Sequence, residues 1–317
     1  MRVTIIGCGI SGLTTGVLLS EKGYEVDILT EKLPHDTVSA KAAAIWLPYE
    51  IKPVEAANRW SIETYQMFET LSQTKETGIK MAVLTVFLEQ ASDAWWKDAF
   101  PADKLSELTS SDIDPQYLPA YRGTVPIAET QIYLDYMMNR FTESGGNIVL
   151  KKINDLSQLL DSENVVVNCT GLGARELMTD REMYPIYGQI VKVDRIEGVQ
   201  SMTDEKISDK PQNEVAYIVE RSDCLVLGGT VMKGRESDEV NADYTQRIIE
   251  RCQVMEPKII SPKIQSVVGG LRPGRTSVRL ERDGNLIHNY GHGGSGYTVS
   301  WGCAGEVLRL IREIPSS

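Results

Sequence analysis

The stretch "GGLRPGR" carries two arginines, Arg272 and Arg275, on a backbone stiffened by Gly269, Gly270 and Pro273. A guanidinium fixed in this way can grip a carboxylate through two parallel N–H donors, so the chemistry on offer is recognition of an anionic small molecule. Arg272 is the better candidate for that clamp, whereas Arg279 and Arg282 flank Glu281 and read as structural ion pairs. Metal and acyl-transfer chemistry have little to work with. The histidines are His35, His288 and His292, none with Cys or carboxylate partners at ligand spacing, so no metal site is expected. In "GGSGY", Ser295 lies in a loop where Tyr297 takes the place of the last glycine of a nucleophile elbow, and a hydrolase triad finds no support.

Two glycine loops offer a different chemistry. The first is Gly7-Cys8-Gly9-Ile10-Ser11-Gly12, between a β-branched run (Val3 to Ile6) and an apolar-periodic stretch ending at Gly23. Gly7 permits a tight strand-to-helix turn, Gly9 lets backbone approach a pyrophosphate, and Gly12 lets helix and strand pack closely. Ile10 and Ser11 open the helix whose free N–H groups meet the diphosphate. Glu31, followed by Lys32, closes the next strand-like run some twenty residues on, where an acid can accept from a ribose. This pattern predicts a dinucleotide site and serves NAD and FAD alike.

The second loop, "HNYGHGGSGYTVSWGC", follows Leu286 and Ile287 and precedes a helix expected over 297–314. Gly291, Gly293, Gly294 and Gly296 are more glycine than a helix cap requires. A second glycine-rich approach late in the chain suits a longer cofactor with a ring system at its far end. There the N–H groups of Gly296, Tyr297 and Thr298, with the Thr298 hydroxyl, would face the pyrimidine edge of a flavin and stabilise charge developing on it.

These loops must be held by elements that the pattern also suggests. "NVVVNCTGLGAREL" (164–177) reads as a buried parallel strand belonging beside the first one. "YGQIVKVDRIE", "EVAYIVE", "CLVLGGTVMKG" and "IQSVVGGLRPGRTSVRLER" alternate or turn quickly, as an antiparallel sheet does. Helices are expected over 54–73 and 128–146. The arrangement is therefore interleaved: a cofactor domain of residues 1–50, 136–182 and 284–317, and a substrate domain of 51–135 and 183–283.

With 317 residues the chain has room for two domains sharing an interface, and 42% hydrophobic with 24% charged residues is the balance of a soluble globular protein. A formal charge of -11 argues against nucleic acid, which selects for clustered cations. Five scattered cysteines, no CxxC and no signal peptide ahead of the first strand fit reduced thiols and a cytoplasmic setting, as does the ending "REIPSS", which lacks a peroxisomal signal. The longest apolar runs, such as "MAVLTVFL", fall well short of the roughly 20 residues of a membrane span. In that setting the sequon "NCT" at 168–170 is incidental.

The motifs "GCGISGLTT", "VNCTGLGAREL", "YGQIVKV", "GGLRPGRTSVRLE" and "IHNYGHGGSGYTVSWGCA" resemble, in order and over essentially the whole chain, the D-amino-acid oxidase family, including D-aspartate oxidase. The resemblance implies an α/β fold: an FAD-binding Rossmann-like domain with an interleaved α+β substrate domain built on an antiparallel sheet. It implies noncovalent FAD, and oxidative deamination of a D-amino acid to an imino acid and then a 2-oxo acid and ammonia. Hydride passes from substrate Cα to flavin N5, and oxygen reoxidises the flavin to give hydrogen peroxide. No catalytic base is needed, and catalysis becomes positioning.

Carried over by motif, Arg272 would clamp the substrate carboxylate, Tyr217 would donate to the same group, and the Gly294 carbonyl would accept from the amine. Thr298 and the neighbouring amides would hold the flavin pyrimidine. Ser39, Lys41, Ala42 and Ala43 would contact its ring and ribityl side, and Tyr49 would line the pocket wall. The chain departs from the family pattern at Ala44 and Leu47. Asn213 stands where a second lid tyrosine can occur and Ser295 where a bulkier residue can occur, which together imply an open pocket. Substrate and oxygen are the expected partners, with neither nucleic acid nor membrane, and a homodimer is the assembly considered.

Three alternatives stay open. A D-aspartate- or D-glutamate-preferring oxidase would need a second cation, for which Lys210 and Arg221, both expected to be solvated, are the candidates. A D-amino-acid dehydrogenase would pass electrons to another acceptor. A nicotinamide-dependent reductase, or a flavin-binding protein without turnover, would lack the reaction altogether.

Overall fold

The structure is a computed structural model that describes every residue except 158, 161–163, 209–212 and 315–317. In chain order the strands are β1 (Arg2–Ile6), β2 (Glu25–Thr30), β3 (Ile79–Phe87), β4 (Leu105–Glu107), β5 (Ala120–Ala128), β6 (Asn147–Leu150), β7 (Asn164–Asn168) and β8 (Tyr184–Asp194). They continue as β9 (Ser201–Asp204), β10 (Glu214–Glu220), β11 (Cys224–Thr230), β12 (Met232–Lys233), β13 (Ile264–Gly274), β14 (Arg279–Asp283) and β15 (Leu286–Tyr290). The α-helices are α1 (Ile10–Glu21), α2 (Val54–Leu71), α3 (Thr130–Glu143), α4 (Ala174–Leu177), α5 (Ala242–Met255) and α6 (Gly296–Arg312).

The β-branched runs "VTII" and "VVV" are buried as a central pair, β1 lying parallel to both β2 and β7. Strands covered on both faces need no polar alternation, which is why these read as continuous apolar segments. The first sheet has the order β14-β15-β7-β1-β2-β6. Helix α1 buries residues around most of its circumference because it lies between this sheet and helices α3 and α6; Leu13, Val17, Phe141, Trp301 and Val307 share one core with Val3 and Val167. The second sheet runs β12-β8-β11-β10-β9-β3-β5-β4, with β13 along the other edge of β8.

Strands β13 and β14 do not form one sheet as their shared alternation suggests. β13 pairs with β8, whereas β14 pairs antiparallel with β15 in the first sheet. Between them Arg275 is fastened to Asp180 and Glu182, at 3.0 and 3.1 Å, which turns the chain from one sheet to the other. This pairing also removes Arg275 from the candidates for a substrate clamp.

Helix α6 crosses α2 at Gly302, where a Cβ would overlap the Trp60 backbone, and Thr64 Oγ1 accepts from the Trp301 and Gly302 N–H groups, both at 3.1 Å. Gly302→Ala must push the two helices apart, and overpacking of this kind costs about 1–3 kcal/mol. The melting temperature should fall accordingly, while the first turn of α6, six residues away, keeps its own contacts. An unchanged melting temperature would show that the crossing can yield.

Candidate functional site

The first glycine loop is built as a steric joint. Gly7 has φ +100° and donates its N–H to Leu29 O at 2.8 Å; a Cβ there would lie 2.6 Å from Cys169 O. A Cβ on Gly12 would overlap the Gly7 carbonyl oxygen. β1, α1 and the end of β7 thus meet with only backbone between them, at the point where strand order reverses and ligands of such sheets bind.

The second loop comes to the same place. Gly296, the first residue of α6, lies against the first residue of α1: a Cβ on it would be 3.5 Å from Ile10 Cγ2. Ser39 ties both helix starts together, its Oγ accepting from Ile10 N–H at 2.9 Å and its carbonyl accepting from the Tyr297 hydroxyl at 3.0 Å. Ser11 Oγ donates to Asn289 O at 3.2 Å and closes the joint from the other side. Two helix N-termini therefore face one crevice, each bringing partial positive charge and first-turn N–H groups that no carbonyl of the helix accepts. Gly293, with φ +56°, has nothing within 4 Å of where a Cβ would point, and its N–H donates to Pro273 O at 2.9 Å. The crevice fits an extended, anionic cofactor.

Next to it lies a polar cluster. Arg272 projects from β13 across β8, where a Cβ on Gly188 would overlap its guanidinium carbon, and donates to Thr230 O at 3.0 Å. Tyr217 of β10 lies over Gly228 in the same manner, its hydroxyl 3.2 Å from a Cβ position on Gly229. Burial raises the Tyr217 phenol above its ordinary range and the Arg272 charge opposes that rise. Tyr49 Cδ1 and Arg272 Cδ lie 3.5 and 3.9 Å from the Cβ position of Gly294. Burial likewise raises the Tyr49 phenol, with Glu50 adding to the rise and Arg272 opposing it. Arg272, Tyr217, Tyr49 and Gly294 thus form one cluster: a cation, two phenols kept protonated by burial and a loop glycine.

Other expected contacts sit differently. The Thr298 hydroxyl is bonded to the Leu47 backbone, accepting at 3.4 Å and donating at 3.2 Å, so the side chain orients the 47–49 segment. Ser295 is fully buried, its Oγ accepting from Tyr49 N–H at 3.0 Å and donating to Tyr49 O at 2.8 Å. Its hydroxyl is turned to the Tyr49 backbone, so its small size does not itself open space for a substrate. Asn213 is exposed with φ +56°, its carbonyl accepting from Val231 N–H at 2.8 Å. Lys41 Nζ is 3.0 Å from Asp238, Glu31 is 3.3 Å from Lys152 at the exposed end of β2, and Lys32 is exposed beside it. Ala42 and Ala43 lie partly exposed on the segment after Ser39.

Arg221 is not solvated as its type suggests. It is 3% exposed and donates to Ala42 O at 2.7 Å, Ala43 O at 2.8 Å and Thr130 Oγ1 at 3.4 Å. Lys210, the other candidate for a second substrate cation, lies outside the described residues. Gly188, Gly228 and Thr230 escaped the sequence reading as site-building positions, although "YGQ" and "LGGT" mark them; their role depends on strand register, which a single sequence does not display.

Burial holds His288 and His292 near pKa 4. His288 is 0% exposed and neither ring nitrogen has a hydrogen-bond partner. An unfolded histidine titrates near 6.5, so between about 4 and 6.5 the unfolded chain binds more protons than the folded one. Their stabilisation is complete above pH 6.5 and is lost as pH falls towards 4, by roughly 3 kcal/mol apiece. His288→Phe should flatten the fall in melting temperature between pH 7 and 4.5, and an unaltered slope would refute its contribution. Among the described residues, no group of three or more His, Cys, Asp or Glu is placed to hold a metal ion.

Residues 2–310 match the family described as FAD dependent oxidoreductase. The chain is 35% identical to a D-amino-acid oxidase of Rubrobacter xylanophilus, over 98% of this chain and 95% of that one. It is 31% identical to the D-aspartate oxidase of Homo sapiens, over 98% of this chain and 95% of that one. In fold it is similar to a glycine oxidase of Geobacillus kaustophilus (TM-score 0.76, 17% identity, covering 100% of this chain and 96% of that one). It is also similar to an L-proline dehydrogenase of P. horikoshii (TM-score 0.81, 14% identity, covering 98% and 92%).

Proposed function

The chain belongs to the D-amino-acid oxidase family of FAD-dependent oxidoreductases, and from that premise we propose that it oxidises D-amino acids to imino acids, with oxygen as the terminal acceptor and hydrogen peroxide as the second product. The imino acid then hydrolyses to a 2-oxo acid and ammonia. The observation that carries this reading is the placement of Arg272, Tyr217, Tyr49 and Gly294 in one cluster beside the crevice where α1 and α6 begin.

FAD bound in that crevice supplies the acceptor for the hydride leaving the substrate Cα. The Gly7–Gly12 loop and the α1 N-terminus, through Gly9, Ile10 and Ser11, would hold its diphosphate, with Glu31 and Lys32 at the ribose end. Ser39, Lys41, Ala42 and Ala43 would border the ring on one side, and Gly293, Gly294, Gly296, Tyr297 and Thr298 would approach it on the other. Burial pushes the Cys8 and Cys169 thiols up to about 12, so both stay protonated and poorly nucleophilic, in keeping with noncovalent FAD. Acid precipitation should release the flavin into the supernatant.

Arg272 would take the substrate carboxylate through its free N–H groups, its NH1 anchored on Thr230 O. The protonated Tyr217 would donate to the same carboxylate, and the Gly294 carbonyl would accept from the amine. Together they fix the Cα–H direction, so positioning does the work and no side chain is required to remove the α proton. We place the cofactor unit at residues 1–50, 136–182 and 284–317 and the substrate unit at 51–135 and 183–283. β14, although in the second set, completes the first sheet, and α3 runs across the 135/136 limit.

The test is anaerobic mixing with D-alanine and with L-alanine. Bleaching of the flavin bands by the D-isomer alone, followed by peroxide on admitting oxygen, is the expected result. Bleaching without peroxide would favour a dehydrogenase, and bleaching by neither isomer would overturn the reading. For a D-aspartate preference Arg221 is already engaged by carbonyls, and the ratio of D-aspartate to D-alanine rates decides that alternative. The five cysteines are free and buried, in keeping with a cytoplasmic setting, and no described helix is long and apolar enough to cross a membrane. Light scattering would distinguish a monomer from a homodimer.

A further inference from the structure

We propose that Arg221 is a positioning residue of the flavin site: it fixes the 42–43 segment against the cofactor and places a buried positive charge behind it. The inference rests on the reading that Ala42 and Ala43 border the flavin.

Arg221 follows β10, the strand that carries Tyr217, and is 3% exposed. Its NH2 group donates to two successive carbonyls, Ala42 at 2.7 Å and Ala43 at 2.8 Å, and NH1 reaches Thr130 Oγ1 at 3.4 Å. Its Nε has no hydrogen-bond partner, and among the described residues no carboxylate forms a salt bridge with it. The nearby carboxylate of Glu129 is turned instead to the Ser222 N–H at 2.7 Å and hydroxyl at 2.9 Å. A buried guanidinium resting on neutral carbonyls is costly to desolvate, and removing it would strand two carbonyls. Burial raises both the Tyr217 phenol and the Tyr297 phenol in the first turn of α6, and the Arg221 charge opposes the rise in each.

Two consequences follow. Rigid carbonyls at 42 and 43 present the intervening backbone to the cofactor in one conformation, which favours binding. A buried cation also favours the cofactor form that has gained negative charge, so it strengthens binding of the reduced flavin more than of the oxidised one. That difference appears directly as a reduction potential.

The measurements are the dissociation constant of oxidised FAD for the apoprotein, the midpoint potential of the holoenzyme, and the melting temperature, for wild type, Arg221→Met and Arg221→Lys. Arg221→Met should weaken FAD binding at least tenfold and lower the potential, by roughly 30 mV for each tenfold difference in affinity between the reduced and oxidised flavin. Arg221→Lys keeps the charge but cannot span two carbonyls, so it should weaken binding while holding the potential near wild type. A purely structural arginine would change the melting temperature and leave the potential alone, which would overturn the electrostatic role. Binding and potential both within twofold of wild type in Arg221→Met would overturn the whole proposal. If Arg221→Met does not fold, Arg221→Lys decides: weaker binding at an unchanged potential supports the inference, and unchanged binding refutes it. Ala43→Leu separates this from the underlying reading. If Ala43→Leu alters FAD affinity and Arg221→Met does not, the failure belongs to Arg221; if neither does, the placement of the segment against the flavin falls as well.

Discussion

Arg272→Ala should lower kcat/KM for a neutral D-amino acid by roughly 10²–10³-fold, equivalent to about 3–4 kcal/mol, with most of the change in KM. The magnitude follows from removing a charged donor whose partner, the substrate carboxylate, is then left in a partly desolvated site facing only phenols and a carbonyl. Arg272→Lys should rescue little, because one ammonium cannot both hold Thr230 O and present a planar pair of donors. Gly188→Ala tests the same contact from the opposite strand. The added methyl overlaps the guanidinium carbon, so Arg272 must swing away although its charge is intact. Its KM should rise in the same direction while the flavin absorbance per protein stays constant. A KM within twofold of wild type in Arg272→Ala would remove this residue from the substrate site.

Gly12→Ala should abolish accumulation of folded, flavin-loaded protein. The new Cβ would overlap the Gly7 carbonyl oxygen, which is backbone held between Leu29 and Cys169 and has no rotamer through which to escape. Either α1 lifts off β1 or the Gly7 turn opens, and both movements dismantle the diphosphate site. The cost should exceed the roughly 1–3 kcal/mol of ordinary overpacking. Soluble yield, melting temperature and the ratio of flavin to protein absorbance report it. Gly23→Ala is the informative contrast: it meets no atom within 4 Å and bears only the strain of φ +85°. A normally loaded Gly12→Ala protein would show that the joint is looser than its geometry.

The first joint was legible in the sequence because its glycines act through local geometry: Gly7 needs a positive φ and Gly12 a missing Cβ, both within six residues of each other. Arg272 was legible because glycines and a proline around it mark a fixed backbone. The floors beneath Arg272 and Tyr217 were not, since Gly188 and Gly228 act on side chains of other strands, and only register brings them opposite. Arg221 was misread for a physical reason. Arginine is rarely buried without a carboxylate, and carbonyl acceptors some 180 positions earlier leave no trace beside it. Ser295 was misread because a small side chain in a pocket loop leaves open which way its hydroxyl turns. β14 joined the wrong sheet in the sequence reading, as alternation shows that a strand has two faces and is silent on which neighbour it chooses.

The Ser39 hydroxyl and carbonyl close the contact between α1 and α6 using protein atoms alone. The apoprotein should accordingly keep its receptacle in shape rather than collapse and refold around the incoming flavin. On rapid mixing, quenching of flavin fluorescence should then rise at a rate linear in FAD concentration, with no slow first-order phase after it.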